Sequence, residues 1–322
     1  MNGAFLSQLL IDGTTTGLVI ALVALGYTMV YGIVELINFA HGDIVMLGAM
    51  LFLTLIGLLG LDHAGQSWLA RHPWVALAVL VPACATFGAA VAWTVDRVAY
   101  RPLRHLPKLT VLVTALGCSF VISNLGLLWG GLPLAVFGGG RAPSSPKSVP
   151  DLLPTLNLLG ADSVVFLGTK EALVLGLCLP LMAALTWFVR CTRLGIAMRA
   201  CAQNPVAARL MGVNVDALIS LTFVIGGALA GVAAVAYATY HGTVQFQLGY
   251  NLGVMAFTAA VLGGIGNLPG AVLGGLVIGL VQAATTLWLG SDWTNVVVFL
   301  VLILTLVFRP NGLLGTQMRE KV

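Results

Sequence analysis

"VELINFAHGDIVMLGAM" (residues 34–50) sets Glu35, Asn38, His41 and Asp43 between two long apolar runs. Polar side chains are expensive at membrane depth, so four of them in one short stretch require a reason. They can belong to a plain connecting loop, or to a helix that breaks inside the apolar layer. Gly32 before the cluster, and Asn38 and Gly42 within it, favour the break. Irregular backbone survives at depth only where polar groups satisfy it. The expectation is a hinge or cytoplasmic gate built from Glu35, Asn38, His41, Gly42 and Asp43. In it, the two carboxylates are expected near the His41 imidazole.

The rest of the sequence explains why depth is at issue. Of 322 residues, 59% are hydrophobic and only 8% charged, with mean hydropathy +1.02. A soluble domain carries about 25% charged residues, so a water-soluble core is excluded. The fold class expected is all-α, a polytopic membrane protein forming one transmembrane domain over residues 1–322. A crossing takes about 20 apolar residues. Candidates run over 13–34, 44–61, 73–95, 109–129, 172–189, 217–240, 271–289 and 293–308, with a short apolar segment at 254–266. This gives about nine helices, within a range of eight to ten, the short one re-entrant or spanning. The first run is expected to anchor itself, since residues 1–12 carry no basic stretch.

Basic residues orient the chain. Arg97, Arg101, Arg104 and Lys108 follow the third run, Arg190, Arg193, Arg199 and Arg209 follow the fifth, and Arg309, Arg319 and Lys321 lie in the tail. With nine crossings all three clusters share the cytoplasmic side, which puts the C-terminus inside and the N-terminus outside. Residues 130–170 then form an external cap. Its prolines disfavour a long helix, and a short one is expected near Leu152. A faint internal repeat links "NFAHGDIVMLGAML" to "GNLPGAVLGGLV", each placing Asn shortly before a glycine that opens an apolar run. Transporters carry such repeats with broken helices at matching places.

The stretch "RLGIAMRACAQNPVAARLMGVNVDAL" (residues 193–218) covers most of the longest cytoplasmic loop, 190–216. Asn204 suits an N-cap and Pro205 the first turn, and Gly212 suits the C-terminal cap. A short helix of this kind is either an ordinary interfacial helix or a docking knob for a cytoplasmic partner.

This loop resembles the coupling segment of bacterial ABC importer permeases, with Val206-Ala207-Ala208 and Gly212 in place of the Glu-Ala-Ala…Gly motif. The acidic residue is missing. The chain is more closely similar to the branched-chain amino acid permeases of the LivH type. The blocks that carry the likeness are "ALGYTMVYGIVELINFAHGDIVMLGAM", "RACAQNPVAARLMGVNVDALISLTFVIGGALAGVAAV", "AFTAAVLGGIGNLPGAVLGGLVIGL" and "YRPLR" (residues 100–104). The resemblance implies one subunit of an ATP-driven importer in the bacterial inner membrane. Its partners would be a second permease (a paralogue), two cytoplasmic ATP-binding subunits and a periplasmic solute-binding protein. It implies an ATPase-coupling loop carrying Arg199, Asn204, Pro205, Ala207, Ala208, Arg209 and Gly212. The solute is left open: branched-chain or other amino acids, with urea and short amides as alternatives in the same family.

The residues agree with a non-enzymatic role. There is no G-x-x-x-x-G-K-[ST] phosphate loop, so ATP hydrolysis is expected on other subunits, and no catalytic residue or cofactor is assigned. "GGIGNLPG" lacks the context of a dinucleotide fingerprint. The five cysteines and five histidines show no metal-ligand spacing. The 39 glycines point to close helix packing instead. Gly226, Gly227 and Gly231 lie on one run, and Gly263, Gly264, Gly266, Gly270 and Gly274 lead into another. Packing is the first reading for them and a glycine-lined path the second. The solute path is expected to be largely apolar, because a fixed charge would trap a zwitterion. Two other classes compete. An aquaporin-like channel would use the Asn-bearing breaks but not the long loop. A secondary transporter would need an intramembrane charge pair, and none exists after Asp216 until Asp292.

Overall fold

The computed structural model describes residues 3–34, 38–61, 68–160 and 163–315. Among these, eight helices are long and apolar enough to cross a membrane. They are α1 (Gly3–Val34), α2 (Ala40–Leu58), α4 (Pro73–Val95), α5 (Lys108–Gly130), α6 (Thr169–Cys191), α9 (Val215–His241), α11 (Leu268–Trp288) and α12 (Thr294–Phe308). Helix α12 reaches crossing length together with the 3-10 turn Ser291–Trp293 that leads into it, and a further apolar helix below crossing length, α10 (Leu248–Gly263), completes the bundle. The short helices are α3 (Trp68–Arg71), α7 (Arg193–Gln203) and α8 (Pro205–Leu210). The fold is the all-α polytopic one expected. Helix α1 starts ten residues before the apolar run at 13, because Gln8 Nε2 donates to Asp12 Oδ1 at 2.9 Å within it.

Helices α1, α2 and α9 form the buried centre, with α4, α5, α6 and α12 outside them. The two most extensive packings are antiparallel, α1 with α11 and α4 with α9. Both use small residues so that backbones touch. A Cβ on Gly279 would overlap Gly17 of α1, and one on Gly275 would overlap Ala21. In the other pair, a Cβ on Gly231 would overlap the Cys84 carbonyl of α4, and one on Gly227 the Gly88 carbonyl. Gly226 faces Gly26 of α1. Gly270 packs on Gly263, and Gly274 on Ala259 of α10. Gly264 (φ +106°) and Gly266 (φ +87°) turn the chain from α10 into α11 in a conformation that favours glycine.

These packings relate α1–α2–α4–α5 to α9–α10–α11–α12 with inverted chain direction. Helix α1 corresponds to α9, α2 to α10 and α4 to α11. The internal repeat therefore matches the start of α2 with the start of α10. "GNLPG" lies elsewhere, at the turn into α11, where Asn267 caps the helix through Gly270 N–H at 3.2 Å.

The cap at 130–170 contains no helix near Leu152, contrary to expectation. Pro150 and Pro154 bracket that residue, and the segment is irregular. Strand β1 (Lys147–Ser148) pairs antiparallel with β2 (Thr243–Val244), which ties the cap to the connection between α9 and α10. The buried Lys147 ammonium donates to the carbonyls of Phe137 (3.1 Å) and Ala142 (2.6 Å), so its burial leaves no donor wasted.

Gly231→Leu should separate α9 from α4 and lower the yield of folded, detergent-stable protein. Size-exclusion chromatography with a melting curve checks it. The cost expected is that of overpacking, about 1–3 kcal/mol or more against backbone.

Candidate functional site

Helix α2 does not begin at the end of the bundle. Its second residue, His41, lies against Gly26 of α1, where any side chain on residue 26 would collide with the imidazole. Helix α1 continues to Val34, eight residues further, or about 12 Å at 1.5 Å per residue. The chain therefore turns back into the apolar layer before α2 starts. Helix α10 does the same from the other side. Gly226 of α9 is level with Gly26, and α9 runs fifteen residues beyond it to His241, about 22 Å. Yet Gly249, in the first turn of α10, touches Asp43 of α2.

Two helix N-termini thus meet at depth, α2 running toward the cap and α10 running away from it. A Cβ on Gly42 would overlap the Gly249 carbonyl oxygen, and one on Gly249 would overlap Asp43. Both glycines are required by this close approach. Asp43 is 1% exposed, lies in the first turn of α2, and has its carboxylate against the first turn of α10. Helix N-termini carry partial positive charge, so two of them suit one anionic group. Two hydroxyls from α5 complete its shell: Ser119 Oγ donates to Oδ2 at 2.5 Å and Ser123 Oγ to Oδ1 at 2.9 Å.

Asp43 does not pair with His41, contrary to expectation. Its oxygens are taken by the serines, while His41 Nε2 is buried without a hydrogen-bond partner. The imidazole instead packs edge-on against the Tyr27 ring, centroids 4.8 Å apart. Tyr27 and Phe39 both approach Phe257 of α10, at 6.4 and 6.3 Å, which closes the break with aromatic rings. Asn38 is 3% exposed, and its Oδ1 accepts from Tyr100 Oη at 2.8 Å. Glu35 lies outside the described residues.

Tyr100 begins a polar chain that leads to the loop at 190–216. It sits in a π-helical turn (Asp96–Tyr100) at the end of α4 and packs on Phe223 of α9. In the same turn, Asp96 is 1% exposed, accepts from Ser220 Oγ at 2.5 Å and pairs with Arg104. Arg104 Nη1 also donates to Asp216 Oδ1 at 2.9 Å, and Asp216 Oδ2 lies 3.5 Å from Arg209 Nη2 on α8. One guanidinium thus joins α4, α9 and, through Asp216, α8. A planar fork can hold two carboxylates at once.

Helix α8 has the caps foreseen. Asn204 Oδ1 accepts from Val206 and Ala207 N–H, both at 3.0 Å, with Pro205 in the first turn. Gly212 (φ +86°) ends it, and Val213 N–H closes back on the Ala208 carbonyl at 3.0 Å. Ala208 is buried, while Val206, Leu210 and Met211 are 68%, 84% and 84% exposed. Arg199 lies back along α7, donating to the Val189 and Arg190 carbonyls at 2.9 and 3.0 Å. Burial pushes the Cys201 thiol up, with Arg209 acting weakly against it, so this cysteine stays protonated near neutral pH. Among the described residues, no three His, Cys, Asp or Glu side chains gather to hold a metal ion.

Ser119, Ser123, Tyr27, Phe257 and Gly249 were not singled out by the sequence. The two serines alone left a trace, lying four apart on an otherwise apolar helix and so on one face.

Residues 9–306 match the profile of the family described as branched-chain amino acid transport system / permease component. The chain is 41% identical over 320 residues to the high-affinity branched-chain amino acid transport system permease protein BraD of Pseudomonas aeruginosa, covering 98% of this chain and 97% of that one. It is 38% identical over 323 residues to the high-affinity branched-chain amino acid transport system permease protein LivH of Escherichia coli, covering 99% and 98%. The autoinducer 2 import system permease protein LsrC of E. coli is 29% identical over 207 residues, 62% of this chain and 57% of that one. No solved structure matches. The chain belongs to the family of branched-chain amino acid transport permeases.

Asp43→Ala should lower the melting temperature in detergent more than Asp43→Asn, because alanine leaves two hydroxyls without an acceptor and two helix ends without a polar group. Each lost bond to a charged group is worth about 1.5–3 kcal/mol. Differential scanning fluorimetry checks the order.

Proposed function

We propose that the chain is the membrane subunit of an ATP-driven importer of branched-chain amino acids in the bacterial inner membrane. It works as a single membrane domain beside a second, paralogous permease subunit. Two cytoplasmic ATP-binding subunits drive it, and a periplasmic binding protein delivers the solute. Basic clusters at 97–108 and 190–209 support a cytoplasmic α8, with the C-terminus inside and the N-terminus outside.

One observation carries the reading: the exposed apolar face of α8. Val206, Leu210 and Met211 project from a six-residue helix at a charged end of the bundle, where neither lipid tails nor this chain cover them. Exposed apolar residues rimmed by charge mark a protein contact. An ATP-binding subunit seated there would move α8 as it closes and opens. Arg209 then pulls on Asp216, Arg104 and Asp96 in turn, and the turn that holds Asp96 also holds Tyr100 against Asn38. The segment that introduces α2 would shift, and with it the rings of Phe39, Tyr27 and Phe257 that close the break. Asp43 acts in this scheme as the fixed pivot between α2 and α10. The near full-length likeness to BraD and LivH supports branched-chain amino acids over urea or short amides.

Two measurements test it. A tagged chain solubilised in mild detergent should bring down an ATP-binding subunit and a second permease in comparable amounts. Leu210→Asp should cut both that co-purification and uptake of labelled leucine, by about tenfold or more, since a charge must then be desolvated in the contact. Uptake should also fall with Asp43→Asn in cells that insert the protein normally. Full co-purification and uptake in both variants would overturn the docking face and the pivot.

A further inference from the structure

A polar cavity lies at the cap end of the bundle, opposite α8. It has two lobes, of about 260 and 450 Å³, and both are walled by Thr16, His241, Gln282 and Thr286. The larger lobe is in the range of ligand sites, about 300–1,000 Å³, and the smaller lies just below it. The first lobe is floored by Val19 and Ile20 of α1 and by Leu252 and Met255 of α10, and the first turn of α10 enters it at Leu248 and Asn251. The second lobe carries Asp12. Below the floor, on the same seam between α1 and α10, a small crevice is lined by Tyr27, Thr28, Tyr31, Phe257, Val261 and Ile265. The aromatic closure of Tyr27 and Phe257 therefore stands between the cavity and the α8 end.

The cavity's chemistry is mixed rather than apolar throughout. Gln282 Oε1 is buried and has no hydrogen-bond partner, although it belongs to a residue that lines both lobes. A buried acceptor left unpaired costs about 1–3 kcal/mol, which a donor on a bound molecule would recover. The nearby Asp12 carboxylate adds negative charge. The first turn of α10 supplies the opposite sign, through the positive end of its dipole. The Val19–Ile20–Leu252–Met255 floor is aliphatic.

We propose that this cavity is the solute site within the permease. It takes a zwitterionic α-amino acid with an aliphatic side chain. The ammonium sits toward Gln282 and Asp12, the carboxylate toward the first turn of α10, and the side chain on the aliphatic floor. Solute then passes along the α1–α10 seam when the Tyr27–Phe257 closure opens. Urea, which has neither a net dipole of this length nor an aliphatic group, gains nothing from the floor. The inference deepens the importer reading and rests on it.

The test uses the full complex with its partner subunits, in a background with the native cysteines replaced by serine. Thr286→Cys is labelled by a membrane-impermeant thiol reagent, with and without L-leucine and without binding protein. Leucine should slow the labelling, and urea at equal concentration should not. Adding Gln282→Leu should raise the half-protecting leucine concentration about tenfold or more, the loss of one bond to a charged group. Thr16→Cys, on the facing wall, serves as a second reporter should Thr286→Cys not assemble. Labelling indifferent to leucine at either reporter, in a complex that still imports leucine, overturns the site and leaves the importer reading intact. A complex that imports no amino acid although leucine protects the cysteine overturns the importer reading instead.

Discussion

Two helices start inside the apolar layer, and their first turns must be satisfied without water. The opening N–H groups of a helix have no partner within it, and hydrocarbon offers none. Turns ahead of each helix take up opening N–H groups, His41 N–H bonding the Asn38 carbonyl and Leu248 N–H the Gln245 carbonyl, both at 3.1 Å, and the Asp43 carboxylate lies where the two ends meet. Asp43 belongs to α2, lies against α10 and is held by two serines of α5. Much else follows from that arrangement. Gly42 and Gly249 must lack side chains for the ends to come together. Gly26 must lack one for His41 to enter. Helices α1 and α9 must each overshoot the break, and each is clamped by an antiparallel neighbour through small residues.

The same arrangement separates support from movement. Asp43 is bonded to two serines of α5 and lies in close contact with Gly249 of α10, which sets α2 against both helices. Asn38, two residues before α2 begins at Ala40, makes one side-chain bond, to Tyr100, and its amide nitrogen is unpartnered. Tyr100 stands at the end of a chain of ion pairs that reaches α8 through Arg104. The fixed element and the linked element are thus adjacent in sequence, as a hinge requires. In the proposed gate the closure consists of rings from α1, α10 and the α2 approach, below the mixed cavity, with Tyr27 and Phe257 themselves lining the apolar crevice.

The break at α2 was legible because it is marked by polar residues that an apolar run would not otherwise carry. The matching break at α10 was not. Its approach, "GTVQFQLGY", bears no charge, and the apolar pattern resumes cleanly only near Val254, six residues inside the helix that begins at Leu248. The Asn and glycines of "GNLPG" instead cap the turn into α11. The caps of α8 were readable from Asn204, Pro205 and Gly212, because capping is local chemistry. The ion pairs of Asp96, Arg104 and Asp216 were not, since they join residues up to 112 apart in sequence. The proposed solute cavity is polar in part, where an apolar path was expected. Asp12 and Gln282 come from opposite ends of the chain, and only the fold brings them to one cavity.

The account stands on the aromatic closure being the gate that α8 controls. It can be locked directly. Phe39→Cys and Phe257→Cys, whose native rings lie 6.3 Å apart between centroids, are bridged by a short, reducible bifunctional thiol reagent in the assembled, cysteine-free complex. Leucine uptake into proteoliposomes and ATP hydrolysis are then measured together, before and after reduction. The account predicts that the bridge stops uptake while ATP hydrolysis continues, and that reduction restores uptake. Undiminished uptake with the bridge in place would contradict it.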